Sequence, residues 1–125
     1  MIVFSIDNFQ IIFITLQEIF TMIAISATEK KLTAGLDLRF EKSPWFLIVD
    51  TDNSYFIANP YYASDGQTAK VIDLLRKEKV TKIISGEIGP KSKQLLDKYK
   101  IQLVFLEGDK VSLQHIANLV SRSEK

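Results

Sequence analysis

Hydrophobic positions fall into two spacings along this chain, one for strands and one for helices. Ile23-Ala24-Ile25 is apolar on both faces, as a central strand of a covered sheet should be. Trp45-Phe46-Leu47-Ile48-Val49 and Tyr55-Phe56-Ile57-Ala58 are two further strands. Asp50-Thr51-Asp52-Asn53 between them is turn chemistry, so the pair forms a hairpin, which Asn59-Pro60 ends. Thr68, Val71, Ile72 and Leu75 then recur at i, i+3, i+4 and i+7, one face of a helix that begins near Asp65 as N-cap. Asp73 and Lys77 make a favourable pair on its wet side. Thr81 to Ser85 is a fourth strand, Pro90 to Tyr99 a second helix and Ile101 to Phe105 a fifth strand. Glu107-Gly108-Asp109 turns the chain. Ser112 caps a last helix with the stripe Leu113, Ile116, Ala117 and Val120, before a polar tail at Ser121 to Lys125. Thr28 to Lys42 reads as polar and irregular.

Residues 1–21 follow another pattern. They are very apolar, and Asp7 and Glu18 are their only charges. They lack the basic start and small-residue cleavage site of a signal peptide. Asp7, Asn8, Gln10, Gln17 and Glu18 interrupt them too often for a membrane span. Phe9, Ile12, Phe13, Leu16, Ile19 and Phe20 fit one helical face, which would pack on the domain, a partner or a membrane surface. The alternative is that Met22, which opens directly into a strand, is the natural start and 1–21 is upstream translation. The two readings divide the chain into an extension, 1–21, and a domain, 22–125.

The order from Met22 is βββαβαβα. Hairpin strands are antiparallel, and helical crossovers run right-handed to parallel strands. A five-stranded mixed sheet in the order 3-2-1-4-5, with helices on both faces, satisfies these rules. That is an α/β, three-layer, ribonuclease H-like topology.

Composition narrows the chemistry. One domain's length, a net charge of +1 and a pI near 7.9 give no case for nucleic acid as partner. There is no cysteine, which excludes disulfides and ligation of zinc or iron–sulfur groups by thiols of this chain. The single histidine, His115, stands about 160–200° around the helical wheel from Leu113 and Ala117 and should face solvent. Two-metal nuclease chemistry needs carboxylates clustered on the sheet, and Ile23-Ala24-Ile25-Ser26-Ala27 offers none. Asp50 and Asp52 belong to a turn. With no nucleophile–base pair, no catalytic residue and no metal ligand is assigned.

The segment Ile83-Ile84-Ser85-Gly86-Glu87-Ile88-Gly89-Pro90 is the most informative stretch. A short apolar run ends at Ser85, two glycines and a proline follow, and a helix starts. Pro90 suits the first helical turn. Gly86 and Gly89 allow positive φ or close backbone approach. The helix N-terminus points free N–H groups above the strand ends, where ligands bind in open α/β sheets. A tight turn with glycines needed only for geometry is the competing reading. Lys91 and Lys93 could meet an anion or be solvated, and Tyr61-Tyr62 could line a pocket or pack over the sheet edge.

Met22-Ile23-Ala24-Ile25-Ser26, Leu36-Asp37-Leu38-Arg39-Phe40, Pro44-Trp45-Phe46-Leu47-Ile48-Val49-Asp50 and Lys82 to Lys91 together resemble the dinitrogenase iron–molybdenum cofactor biosynthesis family. That family includes NifX- and NafY-like proteins, the C-terminal part of NifB and small stand-alone homologues, and the resemblance covers 22–120. It implies a ribonuclease H-like fold. In characterised members it also implies binding or carriage of an iron–molybdenum cofactor or its iron–sulfur precursor. Cofactor-carrying members often show histidine, phenylalanine and glycine in the loop after the first strand. Here that place reads Arg39-Phe40-Glu41, so the usual histidine is absent, and the glycine-rich stretch is reduced to Ser64-Asp65-Gly66-Gln67. Arg39 could hold an anion through its forked donors, or pair with Asp37 or Glu41.

The sequence therefore points to a non-catalytic, cytoplasmic binding protein or carrier for a small anionic ligand or metal cluster. The ligand would lie above the C-terminal ends of the first and fourth strands, against Ser26, Arg39, Asp65, Gly66, Gly86 and Gly89. The alternative is a regulatory interaction module with no cluster. A homo-oligomer or protein partner stays open.

Overall fold

The computed structural model describes residues 2–5, 22–50, 53–107 and 111–122. Its strands are β1 (Ile2–Ser5), β2 (Ile23–Ala27), β3 (Trp45–Val49), β4 (Ser54–Ala58), β5 (Lys82–Ser85) and β6 (Gln102–Glu107). The described helices are α1 (Thr68–Lys77), α2 (Pro90–Lys98) and α3 (Leu113–Arg122). The sheet order is β1-β6-β5-β2-β3-β4. β2, β5 and β6 run parallel, and β3 and β4 are the antiparallel hairpin. The five strands from Ile23 onward thus stand in the expected order 3-2-1-4-5. β1 adds a sixth, paired parallel to β6 with Ile2 beside Val104. The helical spacing of Phe9 to Phe20 lies outside the described residues.

The period-2 pattern of the strands makes two cores. Ile23, Ile25, Leu47, Ile84 and Val104 face one side, under Leu113, Ile116, Ala117 and Val120 of α3. Ala24, Phe46, Ile48, Ile83 and Leu103 face the other, under Val71, Ile72 and Leu75 of α1 and Leu96 of α2. All four residues of the predicted α1 stripe are buried, as are the four of α3. Ser112 caps α3 as expected, its Oγ accepting the His115 N–H at 3.2 Å. His115 is exposed.

Three expectations are corrected. Asp65 does not cap α1. Gln67 holds the N-cap position without a side-chain cap bond, and Asp65 pairs with Lys42 instead. Asp73 pairs with Arg76, three residues further on, at 3.2 Å rather than with Lys77. The segment 28–42 is irregular but not merely polar. Ala34 and Leu36 enter one core and Phe40 the other. Its backbone is tied down by single bridges from Leu36 to Ala27, Gly35 to Ser112 and Arg39 to Glu87.

Candidate functional site

The chain leaves β2 and β5 at the same end of the sheet, because the two strands are parallel neighbours. The loops that follow, 28–44 and 86–89, are therefore forced side by side. Gly86 permits their contact. A Cβ there would lie 2.6 Å from the Leu38 Cα, a distance that real atoms do not tolerate. Close approach is thus the reason for this glycine. Positive φ is not, at Gly86 or at Gly89; among the described glycines only Gly66 has it, at 71°. With the loops in contact, Arg39 bridges to Glu87. A cavity of 360 Å³ opens between them, lined by residues 38–42 and 87–90.

A buried polar layer supports this cleft. Ser26 is fully buried, its Oγ donating to the Asp37 carbonyl at 2.6 Å and lying 3.0 Å from the Ser85 hydroxyl. The Ser43 Oγ accepts the Ala27 N–H at 2.9 Å and donates to the Trp45 carbonyl at 2.7 Å. Asn59 donates from Nδ2 to the carbonyls of Glu41 and Ser43, and its Oδ1 accepts the Tyr61 N–H. No buried polar side-chain atom among the described residues lacks a partner. Such satisfaction is what makes buried polar groups tolerable.

Charge at the rim is arranged in pairs. Asp37 is only 2% exposed and takes the Arg39 fork through both oxygens, at 3.1 Å from Nε and 3.0 Å from Nη2. The Arg39 N–H adds a third bond to this carboxylate at 2.9 Å. The side-chain hydrogen bonding to Asp37 and then the Asp37 charge push the Arg39 guanidinium further above its ordinary value. Two of its five donors are engaged and its side chain is 66% exposed, so the rest stays available to a ligand. Lys42 pairs with exposed Asp65, whose carboxyl its hydrogen bond and charge hold below the usual range. At the start of α2, Gly89 is an N-cap in extended backbone with no side chain to offer, and Pro90 follows it. Glu41 stands there instead, accepting the Ser92 hydroxyl from the other loop at 2.5 Å. A carboxylate at a helix N-terminus is favourable.

The structure thus brings Arg39, Gly86 and Gly89 together. Ser26 lies beneath the cleft rather than in it. Asp65 reaches the rim through Lys42, and Gly66 has no neighbour within 4 Å of where a Cβ would stand. Asp37 was legible as one of two partners flanking Arg39. The roles of Glu41, Lys42, Asn59 and Ser92 had no signal in local sequence, because each acts on a residue many positions away.

The family of the dinitrogenase iron–molybdenum cofactor matches residues 21–120. The chain belongs to this family. No curated protein matches it in sequence. Among solved structures, the apo form of the orange protein from Desulfovibrio gigas is similar in fold. Its TM-score is 0.72 at 20% identity, over 84% of this chain and 90% of that one. A Thermotoga protein assigned as NifB gives 0.67 at 21% identity, over 83% and 90%. A protein from Methanocaldococcus jannaschii assigned as a dinitrogenase gives 0.58 at 25% identity, over 86% and 91%. The family match begins at the residue before Met22, so β1 lies outside it. No described helix is long and apolar enough to cross a membrane.

Proposed function

We propose that this family member is a non-catalytic binding protein. It would hold a small anionic ligand or metal cluster of the iron–molybdenum type in the cleft between residues 38–42 and 87–90. The observation that carries the reading is the Arg39 guanidinium, fixed by buried Asp37 yet two-thirds exposed at the mouth of that cleft. Lys42 adds a second cation. Its pair with exposed Asp65 contributes little, so an incoming anion can take Lys42 at small cost.

The donor set suits retention by charge and hydrogen bonds rather than coordination. The chain has no thiol, its one imidazole is on α3, and the described residues hold no cluster of three metal-ligating side chains. Glu41 at the start of α2 and Glu87 beside Arg39 set a limit. A highly charged anion meets two carboxylates as well as two cations, and full use of the α2 amides requires Glu41 to move aside.

Titration with molybdate and with phosphate, followed by backbone NMR, tests the site. Shifts are expected at Arg39, Glu41, Lys42 and Gly89 to Lys91. Arg39→Ala should weaken binding about tenfold, the scale of one charge-assisted hydrogen bond. It should also lower stability by about 1–3 kcal/mol, because Asp37 is left buried without its fork. Shifts confined to other surfaces, or undiminished binding by Arg39→Ala, would overturn the assignment.

A further inference from the structure

A cavity larger than the cleft lies elsewhere among the described residues. It is a groove of 540 Å³ on the outer side of α1, lined by Tyr61, Lys70, Asp73, Leu74, Arg76 and Lys77. Lys70, Asp73, Leu74 and Lys77 recur at i, i+3, i+4 and i+7, which places them on one stripe of the helix. That stripe lies away from the buried Val71, Ile72 and Leu75. Three cations stand there against one carboxylate. Arg76 is already set in position: its guanidinium lies 3.7 Å from the centroid of the Tyr99 ring on the C-terminal side of α2, and Nη1 bonds Asp73 at 3.2 Å. A guanidinium immobilised in this way loses less entropy on meeting a carboxylate than a free one does.

We propose that this groove docks an acidic protein segment that also carries apolar side chains. The excess of cations supplies the charge complementarity, and half-buried Leu74 with Tyr61 supplies apolar contact between the charges. Single-stranded nucleic acid fits less well. It needs aromatic faces on which bases stack. Here each ring already carries a cation, Tyr61 the Lys70 ammonium at 5.7 Å and Tyr99 the Arg76 guanidinium, with Lys98 also near it. Asp73 at the centre of the stripe would further repel a run of phosphates, whereas a protein segment can set a hydroxyl or amide against it. The groove is independent of the cleft's ligand, since none of its lining residues lines the cleft.

The test is titration of the full chain with a fluorescein-labelled Glu-rich peptide carrying leucines, at low salt. Oligouridylate and phosphatidylserine vesicles are run in parallel. Saturable peptide binding is expected, with amide shifts centred on Thr68 to Lys77, Tyr61 and Tyr99. The double variant Lys70→Glu, Lys77→Glu should bind at least about tenfold more weakly, while its response to molybdate in the cleft stays that of the parent. Four results would each overturn the proposal: no saturable peptide binding, shifts centred on the cleft, equal binding by the double variant, or tighter binding of oligouridylate or vesicles than of peptide.

Discussion

The two ends of the sheet are closed by different means. At the end where β2 and β5 finish, side chains do the closing. Seven of the eight buried polar residues among those described lie there: Ser26, Asp37, Ser43, Asn59, Thr68, Ser85 and Ser92, with Lys82 alone at the start of β5. At the opposite end the backbone closes itself. The Lys79 and Lys100 N–H groups bond the carbonyls of Arg76 and Asp97, and those of Val80 and Ile101 bond Leu75 and Leu96. That is the Schellman pattern at the C-termini of both α1 and α2, with the apolar residues Val80 and Ile101 buried beside it. A helix end that satisfies its own carbonyls can return at once to the sheet. Loops that must spread around a cavity cannot do so, and they need side-chain partners to satisfy their backbone. The polar layer is therefore a physical mark of the end that carries the cleft, independent of any family.

Gly86→Ala should break the comparison most severely. The added Cβ meets Leu38 backbone at 2.6 Å, and backbone cannot turn away as a side chain can. A loss of about 2–3 kcal/mol is expected, at the upper part of the usual overpacking range, read as a lowered midpoint in urea unfolding. A change under about 0.5 kcal/mol would show that the 38–42 loop is not held against β5.

A gain is expected at the other end. Lys100 sits at φ 59° and Lys79 at φ 62°, the left-handed region that glycine occupies without steric cost. Lys100→Gly should raise stability by about 0.5–1 kcal/mol, the relief of the left-handed conformation less glycine's entropy. Thermal unfolding measures it. An unchanged or lower Tm would mean that the lysine side chain makes up for its backbone.

The smallest effect concerns pH at this same end. Tyr55 on β4 donates to Glu78 just beyond α1 at 2.8 Å. Burial first, then this hydrogen bond and the Glu78 charge, push its phenol up to about 12. The unfolded chain loses that proton near the ordinary value of 10, so it binds fewer protons than the folded one between about pH 10 and 12. Stability should therefore fall as pH rises through that window, and less steeply in Tyr55→Phe. Ultraviolet titration of the phenolate checks the midpoint; ionisation of Tyr55 near 10 would show that the Glu78 contact does not persist.

Legibility followed the range of the interaction. The stripes of α1 and α3, the hairpin, the Ser112 cap and Pro90 at a helix start were all readable, since each is a pattern within a few residues. The Schellman turns at Lys79 and Lys100 were not, because lysine gives no local sign of a left-handed backbone. Asp65 has the chemistry of an N-cap, but Lys42 competes for its carboxylate across the cleft mouth. Arg39 and the Gly86–Pro90 turn were placed together from topology alone, since loops after adjacent parallel strands must emerge side by side.

Periodicity along the chain determined which segments are strands and helices, and chain connectivity with the right-handed crossover was consistent with the order that the five strands from Ile23 take. Those are properties of short stretches and of chirality, present in the sequence itself. Tertiary structure decided the rest. It sent Leu36 and Phe40 of one irregular segment into opposite cores, and it gave Arg39 to Asp37 rather than Glu41. It carried Glu41 to the start of α2, where Ser92 lies 51 positions further along the chain. Each of those outcomes depends on distances between residues that only packing brings together, and no local pattern encodes them.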